Sequence, residues 1–377
     1  MKTNNFNIIL PVYLIYVLCA APLSAQTIYL PQNKFIKVNY RLNEDDTTRY
    51  KNHYLFENAF SLIEDMLCGT RPKSFKDAVF AVENAYHDGQ LDKSEYDAEI
   101  NRIATGILYA SSLDTISPTR NMSLNWCIFS FFTKPCHLNH SQPLLYDIRT
   151  LTEGREGGVP YGFVTHLLKT GKGSCRSLPY LYKIIADEVG AEAFLALAPM
   201  HCFIRHQDHN GKWWNFETTV GRFRSSGSII EEMHVTEEGI RSGIYMTNLD
   251  ENSELVLCLK DLLGIYEVKT GFYSNFFVRK TYELGMQYST PHIIEAYKVD
   301  DMKFQLDKKA WIAGCRTFEE IKAHPVFGPE YEQVQQERKR VDDIGYYEFS
   351  KEEYLYQYER AVELIKKQRI IINADNE

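Results

Sequence analysis

The stretch from Gly171 to Glu217 constrains this chain more than any other part of it. It opens Gly171-Lys172-Gly173-Ser174-Cys175-Arg176-Ser177-Leu178, and Leu178, Leu181, Tyr182, Ile185, Ala186 and Val189 follow at alternating three- and one-residue steps. That spacing is the single buried stripe of an amphipathic helix. Ser174 or Cys175 opens the helix, Pro179 falls in or just after the first turn where a missing amide hydrogen costs least, and Gly190 ends it as a left-handed cap. Residues 193–198 (AFLALA) read as a short buried strand closed by Pro199, and a second strand begins at His201. Gln207-Asp208-His209-Asn210-Gly211 is a turn, from which Lys212 to Glu217 returns antiparallel. A helix followed by antiparallel strands predicts an α+β fold, with the helix packed on the sheet.

The same stretch carries a chemistry. Cys175 stands at a predicted helix start, which with a neighbouring imidazolium lowers the cost of forming a thiolate. His201 follows after one helix and one strand, a spacing that returns the chain to the helix start. On its strand His201 shares a face with Phe203 and Arg205, while Cys202 and Ile204 face the other way. Glu217 lies across the hairpin, where a carboxylate accepts the ring hydrogen of His201, fixes its tautomer and raises its basicity. Cysteine attack on an amide or ester needs such a base, an orienter for it, and donors for the developing oxyanion. The only donor the sequence offers is the Cys175 amide. His166 reads as a helix surface residue and Arg176 as a surface charge at a helix terminus, ahead of a contact to a substrate carboxylate. Trp213 and Trp214 alternate, so one at most faces a cleft.

The run GKGSCRSLPYLYKIIADEVGAEAFLALAPMHCFIRH, with GKWWNFETT after it, resembles the transglutaminase-like superfamily of papain-type folds, and bacterial exported members with helical flanks in particular. The resemblance covers about Pro160 to Gly221. It implies a papain/transglutaminase-like core in which Cys175 is the nucleophile, His201 the base and Glu217 the third member. The family usually has aspartate in that last place, and Asn215 is the fallback orienter. Implied with it are a thiol hydrolase or acyltransferase, a thioester intermediate, no cofactor and no metal. The substrate would be a peptide, a peptidoglycan fragment or a protein side chain.

The rest of the chain sets limits. Among 377 residues the net charge is -8, and the first short basic block is Lys366-Lys367-Gln368-Arg369, so nucleic acid is not an expected partner. Residues 1–25 read as a signal peptide: Lys2, an apolar run from Ile8 to Ala21, and the small-residue site Leu23-Ser24-Ala25 before Gln26. A lipoprotein anchored through Cys19 is disfavoured because Leu18 is bulky where a small residue is expected. No other apolar run is long enough to span a bilayer, so the expected location is periplasmic or extracellular. Loss of Cys19 leaves seven cysteines, and an odd number implies at least one free thiol. Cys127 and Cys136 are the expected bridge by proximity, ahead of a zinc site with His137 and His140. Cys68, Cys202, Cys258 and Cys315 read as structural.

The expected organisation is a mainly helical region over 26–143, the catalytic core over 144–235, a connecting segment over 236–272 and a helical domain over 273–377. Ser74 caps a helix with Val79, Val82, Ala85 and Tyr86 inward. Asp88 to Asp92 turns the chain into a second helix with Tyr96, Ile100, Ile103 and Ile107, and its oxygens lack the alternating spacing of a calcium loop. Residues 111–143 read as less regular. In the last region Ser350 and Glu353 form a capping box for a helix bearing Tyr354, Tyr358, Ala361, Val362 and Ile365. The region is tetratricopeptide-like in its helical pairs, without a 34-residue period. The alternative to an enzyme is a binding or scaffold protein that keeps the core and engages a protein partner through the C-terminal helices. Its tyrosines between Tyr331 and Tyr358 suit peptide or glycan contact. A redox protein lacks the Cys-x-x-Cys pair it would need.

Overall fold

A computed structural model describes residues 50–153, 157–272, 274–288, 293–347 and 359. The expected signal peptide, Cys19 and the capping box at Ser350 lie outside the described residues. The described chain mixes helix with two small sheets. Among the described residues no helix is long and apolar enough to cross a membrane.

The N-terminal helices form where capping and periodicity coincide. After α1 (His53–Leu67), α2 (Phe75–Tyr86) begins at Ser74, whose side chain accepts the Asp77 amide hydrogen. α3 (Lys93–Ser112) begins at Asp92, which accepts from Ser94 and Glu95 and buries Tyr96, Ile100, Ile103 and Ile107. Asp92 thus serves as a helix cap. The stretch expected to be irregular contains α4 (Arg120–Thr133), capped by Thr119, with Leu124, Ile128, Phe131 and Phe132 inward. Their spacing is helical, but the aromatic residues on both sides obscure it. Cys127 and Cys136 are free thiols, not the expected bridge. Cys127 lies within α4, six residues before its end, and Cys136 lies beyond the helix, so closeness in sequence does not by itself bring their sulfurs together.

A parallel pair, β1 (Leu145–Tyr146) with β2 (Lys172–Gly173), holds the chain entering the cysteine turn. Between them lie α5 (Arg149–Thr152) and α6 (Val164–Thr170), which ends at left-handed Gly171. α7 (Ser177–Val189) follows and ends at left-handed Gly190, as the sequence predicts. β3 (Phe194–Ala198), β4 (His201–Gln207), β5 (Trp213–Glu217) and β6 (Arg222–Arg224) make an antiparallel sheet in chain order. Its two faces meet different cores. Cys202, Ile204 and Phe216 join the large core with α7, and Phe203 joins a smaller cluster with Ile229, Ile244 and Tyr245.

α8 (Ser226–Glu232) falls at the end of the region expected to be the core, and the segment expected to be a connector contains α9 (Glu237–Arg241) and the twenty-residue α10 (Glu251–Thr270). α10 is buried nearly all round, among residues of α1, α2 and α11 (Phe276–Tyr288). A helix buried on every side has no single apolar stripe, which is why periodicity does not reveal it. Phe277, Val278, Tyr282, Ile293 and Ile294 belong to the large core. α12 (Glu295–Ile312), α13 (Phe318–Ala323) and α14 (Phe327–Asp343) enclose a separate small core around Leu306, Ile321 and Val341.

Candidate functional site

The turn that presents Cys175 is held from three directions. β1 and β2 fix the strand before it, through Leu145 N–H to Gly171 O at 2.9 Å and Asp147 N–H to Gly173 O at 2.7 Å. α6 is anchored by buried Glu83, whose carboxylate accepts the amide hydrogens of Val164 and Thr165 and the Thr165 hydroxyl. Ser174 and Ser177 then bond reciprocally: the Ser174 amide donates to Ser177 Oγ at 2.8 Å, and Ser174 Oγ accepts from the amides of Arg176 and Ser177 at 3.1 Å. This exchange starts α7 at Ser177 and leaves Cys175 two residues ahead of the helix, buried at 7% exposure. Gly173 has no room for a side chain, since a Cβ there would lie 2.5 Å from Ser177 Oγ.

His201 opens β4 directly after Met200, a non-glycine residue in the left-handed region at φ 55°. Its Nε2 lies 2.5 Å from Oε2 of Glu217. The other carboxylate oxygen, Oε1, accepts from the Thr219 amide at 3.2 Å and the Thr219 hydroxyl at 2.8 Å. Burial pushes the Glu217 carboxyl up, but the attraction of His201 and the hydrogen bonds from His201 and Thr219 outweigh it and hold the group below its ordinary value. With Nε2 engaged by the carboxylate, Nδ1 is the nitrogen left to take a proton from a thiol.

Cys175 and His201 line one cleft, with an empty volume of about 570 Å³ including open solvent. Cys175, however, is disulfide-bonded. The sulfur is a nucleophile only after reduction. Cys202 also lines the cleft, but burial pushes its thiol well up, as it does for Cys258, so neither is activated.

Several neighbours depart from expectation. Arg176 is buried rather than a surface charge, because its Nη1 pairs with Oδ1 of Asp261 on α10 at 2.7 Å. His166 is half-buried, with Nε2 3.1 Å from Asp147. Asn215 is no orienter of His201: its Nδ2 donates to Arg224 O and Ser226 Oγ. Neither Trp213 nor Trp214 lines the cleft; Trp213 packs on Phe194 and Trp214 on Phe223. Sequence reasoning missed the far wall, made of Tyr245, Lys260, Asp261, Tyr346 and Tyr347. The Tyr245 hydroxyl ties two of these segments together, donating to Tyr347 O and accepting from Tyr347 N–H. No local pattern marks residues recruited from so far along the chain.

Among the described residues there is no group of three or more His, Cys, Asp or Glu side chains suited to a metal ion. No protein-family model, curated protein or solved structure matches the chain.

Proposed function

We propose that this protein is a transglutaminase-like, papain-type thiol hydrolase or acyltransferase, exported to the periplasm or cell exterior, that cleaves or transfers an amide of a peptide, a peptidoglycan fragment or a protein side chain. The observation that carries the reading is the His201–Glu217 hydrogen bond at a cleft that Cys175 also lines. In the reduced protein His201 takes the Cys175 proton. The thiolate then attacks the carbonyl carbon, the carbon–nitrogen bond breaks, and imidazolium 201 returns the proton to the leaving amine. Water or a second amine attacks the resulting thioester, gives its proton to His201, and regenerates the thiol. No cofactor takes part in this cycle.

The test is covalent trapping. Reduced protein is incubated with peptide, peptidoglycan and glutaminyl substrates, and the peptide containing Cys175 is weighed after acid quenching. An acyl adduct on Cys175, absent from Cys175→Ala and reduced at least a hundredfold in His201→Ala, is the expected result. A second reading, a scaffold that retains the core and binds a partner, is favoured by the disulfide at Cys175. It predicts no adduct with any substrate.

A further inference from the structure

The cleft holds more positive charge than the triad uses. Arg176 lies beside the nucleophile at 7% exposure, and Lys260 lines the same cleft at 6%. The carboxylate that faces them is already occupied, with Asp261 Oδ1 2.7 Å from Arg176 Nη1 and Oδ2 accepting the Tyr180 hydroxyl at 2.8 Å. Glu83 also acts on Arg176 electrostatically, but it does not line the cleft and its oxygens are taken by Val164 and Thr165. Nη1 of Arg176 is thus committed to Asp261, while its Nε–H is buried with no partner. A buried donor left unpaired is costly, so a site retaining one is poised for a ligand that supplies the acceptor. The Nε edge of a guanidinium is the planar fork that grips a carboxylate by parallel bonds.

We propose that the substrate carries a carboxylate close to the bond attacked, held by Arg176 and Lys260. Tyr245, Tyr346 and Tyr347 line the same cleft and are aromatic. There the pairing is stronger than in open water. The inference names the substrate class of the thiol-enzyme reading and rests on it, but its test requires no turnover.

Calorimetry on the Cys175→Ala protein compares N-acetyl-alanyl-alanine with its C-terminal amide, which differs only in the charge. The acid is expected to bind at least tenfold more tightly. Lys260→Gln and Arg176→Lys, the latter keeping a cation beside Asp261, are each expected to shrink that preference below threefold. Binding of acid and amide within threefold of each other, binding of neither, or a preference that survives both substitutions overturns the proposal. Absence of an acyl adduct on wild-type Cys175 counts against the catalytic reading alone and leaves these affinities as they are.

Discussion

Replacing Glu217 by glutamine probes the arrangement at its most informative point, because Thr219 dictates how the new amide must sit. Both Thr219 donors point at Oε1, so the glutamine carbonyl oxygen is held there and its NH₂ group is turned toward His201. An N–H facing Nε2 forces that nitrogen to accept, which moves the ring proton to Nδ1 and removes the base from the cleft side. The charge is lost as well. Side-chain exposures of 10% for His201 and 3% for Glu217 leave little solvent to compensate. A hydrogen bond to a charged group contributes about 1.5–3 kcal/mol net, which converts to a roughly 10- to 150-fold loss of the thiolate–imidazolium pair. The assay is iodoacetamide labelling of the reduced protein between about pH 5 and 9, with Cys175 followed by peptide mass and circular dichroism confirming the fold. Adding Thr219→Val removes the shorter of the two donors and lets the amide turn, so part of the rate should return. A Glu217→Gln rate within threefold of wild type across that range would refute the claim that this carboxylate sets the state of His201.

Two further outcomes follow from the local chemistry. Gly173→Ala places a Cβ 2.5 Å from Ser177 Oγ and against Leu167, so the Ser174–Ser177 exchange must break; a loss of about 1–3 kcal/mol in urea unfolding is expected, and an unchanged midpoint would show the turn to be pliable. The acid limb of stability should depend on Glu217. Its folded carboxyl is held below the ordinary value, so the unfolded chain binds more protons as pH falls; the stabilisation is present above the ordinary carboxylate range and lost as pH drops through it. The gap in Tm between wild type and Glu217→Gln should therefore narrow steadily on acidification, and a gap independent of pH would contradict this.

What the sequence revealed and what it concealed divide along a physical line. Ser74, Asp92, Gly190 and the stripe from Leu178 to Val189 act on neighbours within one turn or one helix, so their spacing carries their meaning. The pairing of His201 with Glu217 was legible for the same reason, since a short hairpin leaves few registers that bury Phe216 and Ile204 together. α10 was not legible, because a helix enclosed on all sides loses the contrast between faces on which periodicity depends. Arg176 was misread for a related reason. An arginine at a helix start is ordinarily solvated, and its burial becomes tolerable only because Asp261 arrives from a segment eighty-five residues later. Charge that local spacing marks as surface is drawn inward by a distant partner, and the partner then leaves one buried donor, the Nε–H, unanswered. The part of the cleft beside Cys175 that sequence could not foresee is therefore the part whose second partner comes from a distant helix.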